Sequence, residues 1–215
     1  MEDFLNIFDT IYLINLDERT DRLTDFYNGL RKLGVSDEFI TNKIKRFSAI
    51  KHVNGTDGCT ESHITILRTV RDLGLNNVLV LEDDCEFIDE YLPYLNQVGE
   101  DITKKEWDIY YLGYNSHIKL DKVSNNSVKI KNCFSTHAIV YSKSVFDVII
   151  EEYNNGVIKI LDVHYRDKTQ ETYNCVGSLP ILCTQSIGLS NIENKVVNYG
   201  FIVDRFKEHT KHLTW

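Results

Sequence analysis

Val78-Leu79-Val80-Leu81-Glu82-Asp83-Asp84 is the stretch on which the reading of this chain turns. Four apolar residues in an unbroken run, two of them β-branched, read as a central parallel strand covered on both faces. The run passes straight into three carboxylates. Open α/β sheets hold ligands outside the carboxyl ends of their strands, so Glu82, Asp83 and Asp84 stand where a ligand is expected. Adjacent carboxylates repel one another unless a cation offsets them, and their hard oxygens suit Mg²⁺ or Mn²⁺. An ion held there can bridge a diphosphate and neutralise the charge that develops as it leaves. The competing reading is an acidic loop or helix cap facing water.

Working outward, Ile11-Tyr12-Leu13-Ile14 reads as a buried strand. Leu23, Phe26, Tyr27, Leu30 and Leu33 then recur at the spacing of an amphipathic helix that Gly34 is placed to close. Phe47 to Ile50 reads as a second strand, and Asn54 to Gly58 as a turn or loop. Thr60 or Ser62 is a candidate cap for a helix carrying Ile64, Leu67, Val70 and Leu73, closed by Gly74. Trp107–Leu112 and Ala138–Tyr141 are further strands, and Ser144–Glu152 a further helix. The polar residues 115–132 between those strands read as a surface loop or hairpin. Alternation of strand and helix over residues 11–113 predicts an α/β fold with a mostly parallel sheet.

Composition narrows the function. The 215 residues fit one domain, with 42% hydrophobic residues to build a core. The formal net charge is -8, and the basic residues are dispersed, so nucleic acid is not an expected partner. No apolar run reaches the roughly 18 residues of a membrane span. Met1-Glu2-Asp3-Phe4 lacks the basic start of a secretory signal, and a cytoplasmic location is expected. The five cysteines read as reduced thiols; their spacing to histidines matches no zinc pattern.

Two more clusters carry candidate chemistry. Asp17 is placed to cap the first long helix, with Arg19 and Arg22 in its first turn, where cations oppose the helix dipole. They either reach an anionic ligand at the sheet edge or pair locally with Asp17, Asp21 or Asp25. In Gly58-Cys59-Thr60-Glu61-Ser62-His63, small polar residues opening a helix can approach a ligand closely; the alternative is an ordinary helix histidine and a buried thiol.

In this order the pieces resemble glycosyltransferase family 25, which includes bacterial lipooligosaccharide galactosyltransferases and procollagen galactosyltransferases. The matching stretches are Ile11–Arg22, Arg46–Ile50 with Gly58–His63, Val78–Phe87, Trp107–Gly113 and Thr136–Ser142. The resemblance covers about residues 10–190, leaving a C-terminal tail from about 191 to 215. It implies a GT-A-like (Rossmann-type) fold, a UDP-sugar donor, and Mn²⁺ or Mg²⁺. The acidic triplet resembles the family's D-x-D element, with Asp84 and Glu82 as metal ligands. Asn15, Asp17, Arg19, Arg22, Ser62, His63, Glu82, Asp83 and Gln185 are then the donor-binding residues. The family is regarded as inverting, which requires a carboxylate base on the acceptor side; Asp162 resembles that residue, as base or second metal ligand. The expected reaction is transfer of galactose or a related hexose to a hydroxyl on a glycan or glycoprotein acceptor. The alternative is a catalytically silent module that binds nucleotide sugar. The first motif departs from the family at Glu18-Arg19-Thr20-Asp21, and the region after residue 185 aligns poorly, which leaves acceptor specificity open.

Overall fold

The computed structural model describes residues 1–104, 106–190 and 195–215. A short helix, Glu2–Asn6 (α1), leads into strand Ile11–Asn15 (β1) and helix Thr20–Lys32 (α2). Helix Asp37–Lys43 (α3) and strand Ile44–Ser48 (β2) follow, then the long helix Gly55–Asp72 (α4) and strand Asn77–Glu82 (β3). Strand Cys85–Phe87 (β4), helix Leu95–Lys104 (α5) and strand Ile109–Tyr111 (β5) come next. The middle of the chain holds strands Asn115–Ser116 (β6), Asp121–Ser124 (β7), Ser127–Lys129 (β8), Cys133–Phe134 (β9) and Ala138–Ser142 (β10). Helices Phe146–Asn154 (α6) and Leu161–His164 (α7) follow; α7 runs on through one wide turn, Tyr165–Thr169, into Gln170–Thr172 (α8). Strands Cys175–Ser178 (β11), Cys183–Gln185 (β12), Gly188–Ser190 (β13) and Lys195–Val197 (β14), and helix Phe201–Thr210 (α9), complete the described fold.

Eight strands form the main sheet in the order β2-β1-β3-β10-β5-β11-β8-β7. β1 pairs parallel with β2 and β3, and β11 pairs parallel with β5. β10 runs antiparallel to both β3 and β5, and β8 is antiparallel to β11 and β7. Six strands thus share one direction, and β10 and β8 oppose it. Val78, Leu79, Val80 and Leu81 are fully buried, as expected for a strand covered on both faces. In α2, Phe26 and Leu30 are buried, and Gly34 beyond its end takes a positive φ of 82°. Gly74 does the same after α4 at 68°, where a side chain would be strained.

Two details differ from the sequence reading, and the expected hairpin is placed in the sheet. α4 begins at Gly55 because Asn54 caps it, its side chain accepting from the Thr56 N–H at 3.3 Å. Thr60 and Ser62 are therefore inside the helix. Gly58 is needed within that helix because a Cβ would lie 2.3 Å from the Ile50 carbonyl oxygen. Residues 121–129 form the hairpin β7–β8, which extends the main sheet rather than standing apart from it. The C-terminal part is packed: α9 buries Ile202 and Phe206, and the Trp215 ring meets Tyr91, Tyr94 and Phe206. Among the described residues no helix is long and apolar enough to cross a membrane.

Candidate active site

Register assembles the site. Ile14 sits beside Glu82 and Asn15 beside Ser48, so β1, β2 and β3 end together at one edge. Because β10 is antiparallel, its beginning lies there: Ala138 pairs with Leu81, and the His137 carbonyl accepts from the Glu82 N–H at 2.9 Å. Thr136 is thereby carried to the acidic triplet. β12 pairs with β4, which follows the triplet, and this brings Gln185 opposite Cys85.

The three carboxylates face different surroundings. Glu82 Oε1 accepts from the Thr136 hydroxyl at 2.6 Å and lies 3.3 Å from His63 Nε2. Behind it, His63 Nδ1 is 3.1 Å from the Tyr141 hydroxyl, which accepts from Tyr165 at 3.3 Å. Burial alone would raise the Glu82 carboxyl, but the His63 ring and the Thr136 hydroxyl outweigh it and hold it below the usual range. Asp83 accepts from Arg22 at 2.8 Å and from the Asn15 amide at 2.8 Å. The Asn15 amide oxygen in turn accepts from Arg46 Nε at 2.9 Å.

Asp84 is buried, and its Oδ2 accepts from Gln185 at 3.3 Å and from Arg22 at 3.5 Å. Its Oδ1 is buried without a hydrogen-bond partner. Burial, reinforced by the Glu82 carboxylate, pushes the Asp84 carboxyl up to about 7 against the pull of Arg22. A hard carboxyl oxygen with nothing to satisfy it, next to two further carboxylates, fits a divalent cation of the Mg²⁺ or Mn²⁺ class.

Two chambers meet at the triplet. One, of about 310 Å³, runs from Asn15, Arg22 and the loop Ala49–Val53 to Asp84. The other, of about 370 Å³, is lined by Phe134, Thr136, Asp162, Tyr199 and Phe201. Cys59, Glu82, Gln185 and Tyr199 belong to both. Asp162 lies at the start of α7, and burial, with the Glu82 charge, raises its carboxyl above the usual range. A larger groove of about 670 Å³ runs along α2 and reaches the triplet only at Asp83. Paired chambers joined by carboxylates can hold two substrates end to end, with the reacting bond at their junction.

The model of glycosyltransferase family 25 (LPS biosynthesis protein) matches residues 40–168, more than half of the chain. The chain belongs to glycosyltransferase family 25. A mouse relative, "Inactive glycosyltransferase 25 family member 3", is 29% identical over 129 residues, covering 49% of this chain and 22% of the relative. Mouse procollagen galactosyltransferase 2 is 27% identical over 129 residues, covering 49% of this chain and 21% of that protein. The match therefore takes in about a fifth of the length of these relatives. Among solved structures, a glycosyltransferase involved in the glycosylation of the major capsid of PBCV-1 superposes with a TM-score of 0.47 at 7% identity, over 74% of this chain and 75% of that one. UDP-glucose pyrophosphorylase complexed with UDP-glucose gives a TM-score of 0.46 at 12% identity, over 98% and 85%.

The family 25 fold brings Asn15, Arg22, Glu82, Asp83, Asp84 and Gln185 to the first chamber and sets Asp162 in the second. Asp17 is not among the residues lining either chamber and does not cap α2; it accepts from Arg46 at 2.5 Å and from Ser48 at 2.8 Å. Arg19 binds Asp21 through two nitrogens, at 3.0 and 2.9 Å. Ser62 is fully buried, accepts from the Ile50 N–H at 2.9 Å and donates to the Gly58 carbonyl at 2.7 Å. It holds the loop that lines the chamber rather than offering its own hydroxyl. His63, also fully buried, stands behind Glu82. Thr136 and Arg46 were missed as site residues. Thr136 opens a stretch quoted for the family resemblance, but only the antiparallel insertion of β10 reveals its contact with Glu82.

Proposed function

We propose that this family 25 chain transfers a hexose, galactose or a close relative, from a UDP-linked donor to a hydroxyl on a glycan or glycoprotein acceptor. The observation that carries the reading is the unpartnered Asp84 Oδ1 next to Glu82, the carboxylate that lines both chambers, with Asp162 in the second chamber. The first chamber suits the nucleotide diphosphate, since the cationic side chains of Arg22 and Lys51 line it. The second suits the acceptor.

Asp84, with Glu82 beside it, would hold the divalent cation. Such an ion, when bound, offsets charge on the diphosphate oxygens as they leave. Arg22 adds a fixed positive charge on the same side, already oriented by Asp83. Glu82 stays ionised because His63 and Thr136 support Oε1, so Oε2 would be the oxygen offered to the cation. Asp162 accepts the proton of the acceptor hydroxyl as its oxygen bonds to the anomeric carbon; the bond to UDP breaks with its electron pair going to the diphosphate, and configuration inverts. Its raised carboxyl is suited to a base because its proton affinity is greater than that of an exposed aspartate.

The test is UDP release from a panel of UDP-sugars with Mn²⁺ and simple glycoside acceptors, comparing wild type with Asp84→Asn. Release from one donor that disappears in the variant supports transfer. UDP binding by calorimetry with no release from any donor supports a second reading, a silent nucleotide-sugar-binding module. That reading is favoured by the relatives named inactive and by Arg22, which already sets a cation against Asp83 and Asp84.

A further inference from the structure

Cys59 and His63 are four residues apart on α4, so both side chains leave the same face, one turn apart. That face looks onto the end of β3, where Glu82 completes a trio. The Cys59 sulfur, a His63 ring nitrogen and a Glu82 carboxylate oxygen all lie within 4.8 Å of one another. Spacing along the chain concealed the trio because Glu82 enters from a neighbouring strand.

We infer that Cys59, His63 and Glu82 form a binding site for a thiophilic divalent cation, Zn²⁺, which shares Glu82 with the hard-oxygen position at Asp84 but takes its other ligands from α4. Bond lengths of about 2.0–2.3 Å to zinc put tetrahedral ligand atoms about 3.5 Å apart. Two edges of the trio already have that spacing: His63 Nε2 to Glu82 Oε1 at 3.3 Å and Cys59 Sγ to Glu82 Oε1 at 3.8 Å. The third edge, at most 4.8 Å, needs no more than about 1.3 Å of closure.

The partner of the histidine also suits the role. Metal-bound imidazoles use their other nitrogen to donate a hydrogen bond that fixes the ring. Here Nδ1 faces the Tyr141 hydroxyl at 3.1 Å, and Tyr141 is itself held by Tyr165, so Nε2 is aimed at Glu82. Cys59 and Glu82 both line the junction of the two chambers, which gives an ion an entry path and leaves a fourth position for water. Burial and the Glu82 carboxylate hold the Cys59 thiol protonated in the metal-free protein. The same negative field attracts a dication. On binding, the sulfur–metal bond forms, the S–H bond breaks, and the proton leaves to solvent.

The inference does not depend on sugar transfer, and the test uses the metal alone on the full chain. Co²⁺ is the probe, because a thiolate ligand gives a charge-transfer absorption in the near ultraviolet that oxygen ligands do not. Wild type should develop that band, Asp84→Asn should keep it, and Cys59→Ser should lose it. Tyr141→Phe should weaken Co²⁺ binding about tenfold while retaining the band. Independently of any variant, Zn²⁺ should slow alkylation of Cys59 in wild type, read by mass spectrometry of the labelled peptide. No charge-transfer band in wild type, a band that survives in Cys59→Ser, or Cys59 alkylated at the same rate with and without Zn²⁺ would each overturn the site.

Discussion

Asp84 and Asp162 are both aspartates with raised carboxyls, yet different consequences follow from their places. In metal-free protein Asp84 titrates at about 7, against 3.8 for an ordinary aspartate. Between those values the folded chain binds more protons than the unfolded one. The stabilisation is thus full below about pH 4 and is lost as pH rises through about 7. Asp84→Asn removes this dependence, so wild type should lose up to about 4 kcal/mol relative to the variant across that window. Melting temperatures of the two proteins from pH 4 to 8 check it; parallel curves would refute it. Asp162→Asn is expected to keep UDP binding by calorimetry and lose transfer by about two orders of magnitude or more. In the wild type the acid limb of kcat/KM should lie above the ordinary carboxylate range, because burial and Glu82 disfavour the ionised form. Asp84 was legible as a candidate because it follows an unbroken apolar strand, and Asp162 only through the family resemblance. The environments that give them different work were not, since Thr136, Gln185 and Asp162 are 52, 101 and 78 residues away from Asp84 along the chain.

At the scale of elements, the start of α4 governs how the first chamber is walled. Gly58 lets the helix press against the Ile50 carbonyl, and Ser62 ties the Ile50 N–H to the same helix. Exchanging a helix glycine for alanine ordinarily stabilises by roughly 0.5–1 kcal/mol. Gly29→Ala in α2, where an added Cβ meets nothing within 4 Å, should show that gain. Gly58→Ala should reverse the sign and cost about 1–3 kcal/mol, because the backbone it strikes cannot rotate away. Thermal melts of the pair decide this, and equal shifts would refute the close-packing account. An unbroken apolar run located β3, and periodicity located α2 and the body of α4, which have regular apolar faces. It placed the start of α4 too late, since Asn54 and Gly58 read as a turn by type alone. It also missed α3, a seven-residue helix whose one buried residue is Ile40, and α5, although Leu95, Val98 and Ile102 recur there at helical spacing.

For the molecule as a whole, the chambers are formed by segments from both ends of the chain, so a ligand bridging them should stabilise everything. UDP with Mn²⁺ at a hundredfold excess over its Kd should add about 2.7 kcal/mol and raise Tm by roughly 5–10 °C. A chelator should remove most of that shift, and nucleoside triphosphates should give less than UDP-sugars. An equal response to every nucleotide would count against a UDP-sugar pocket. The alternation of strand and helix showed the α/β class, but the reversed direction of β10 has no local signature. Its sequence is as apolar as that of a parallel strand, and only its partners define its sense.

That insertion has a consequence for biosynthesis. β3 is fully buried only once β10 lies along its second edge, and β10 ends about sixty residues after β3 has been made. At roughly 5–20 residues per second, a ribosome leaves the most apolar strand of the sheet with an open flank for about 3–12 s. A strand edge of that kind is a template for pairing with another chain. Slow translation through residues 83–142 should therefore lower soluble yield, and a chaperone that shields β3 in that interval should restore it.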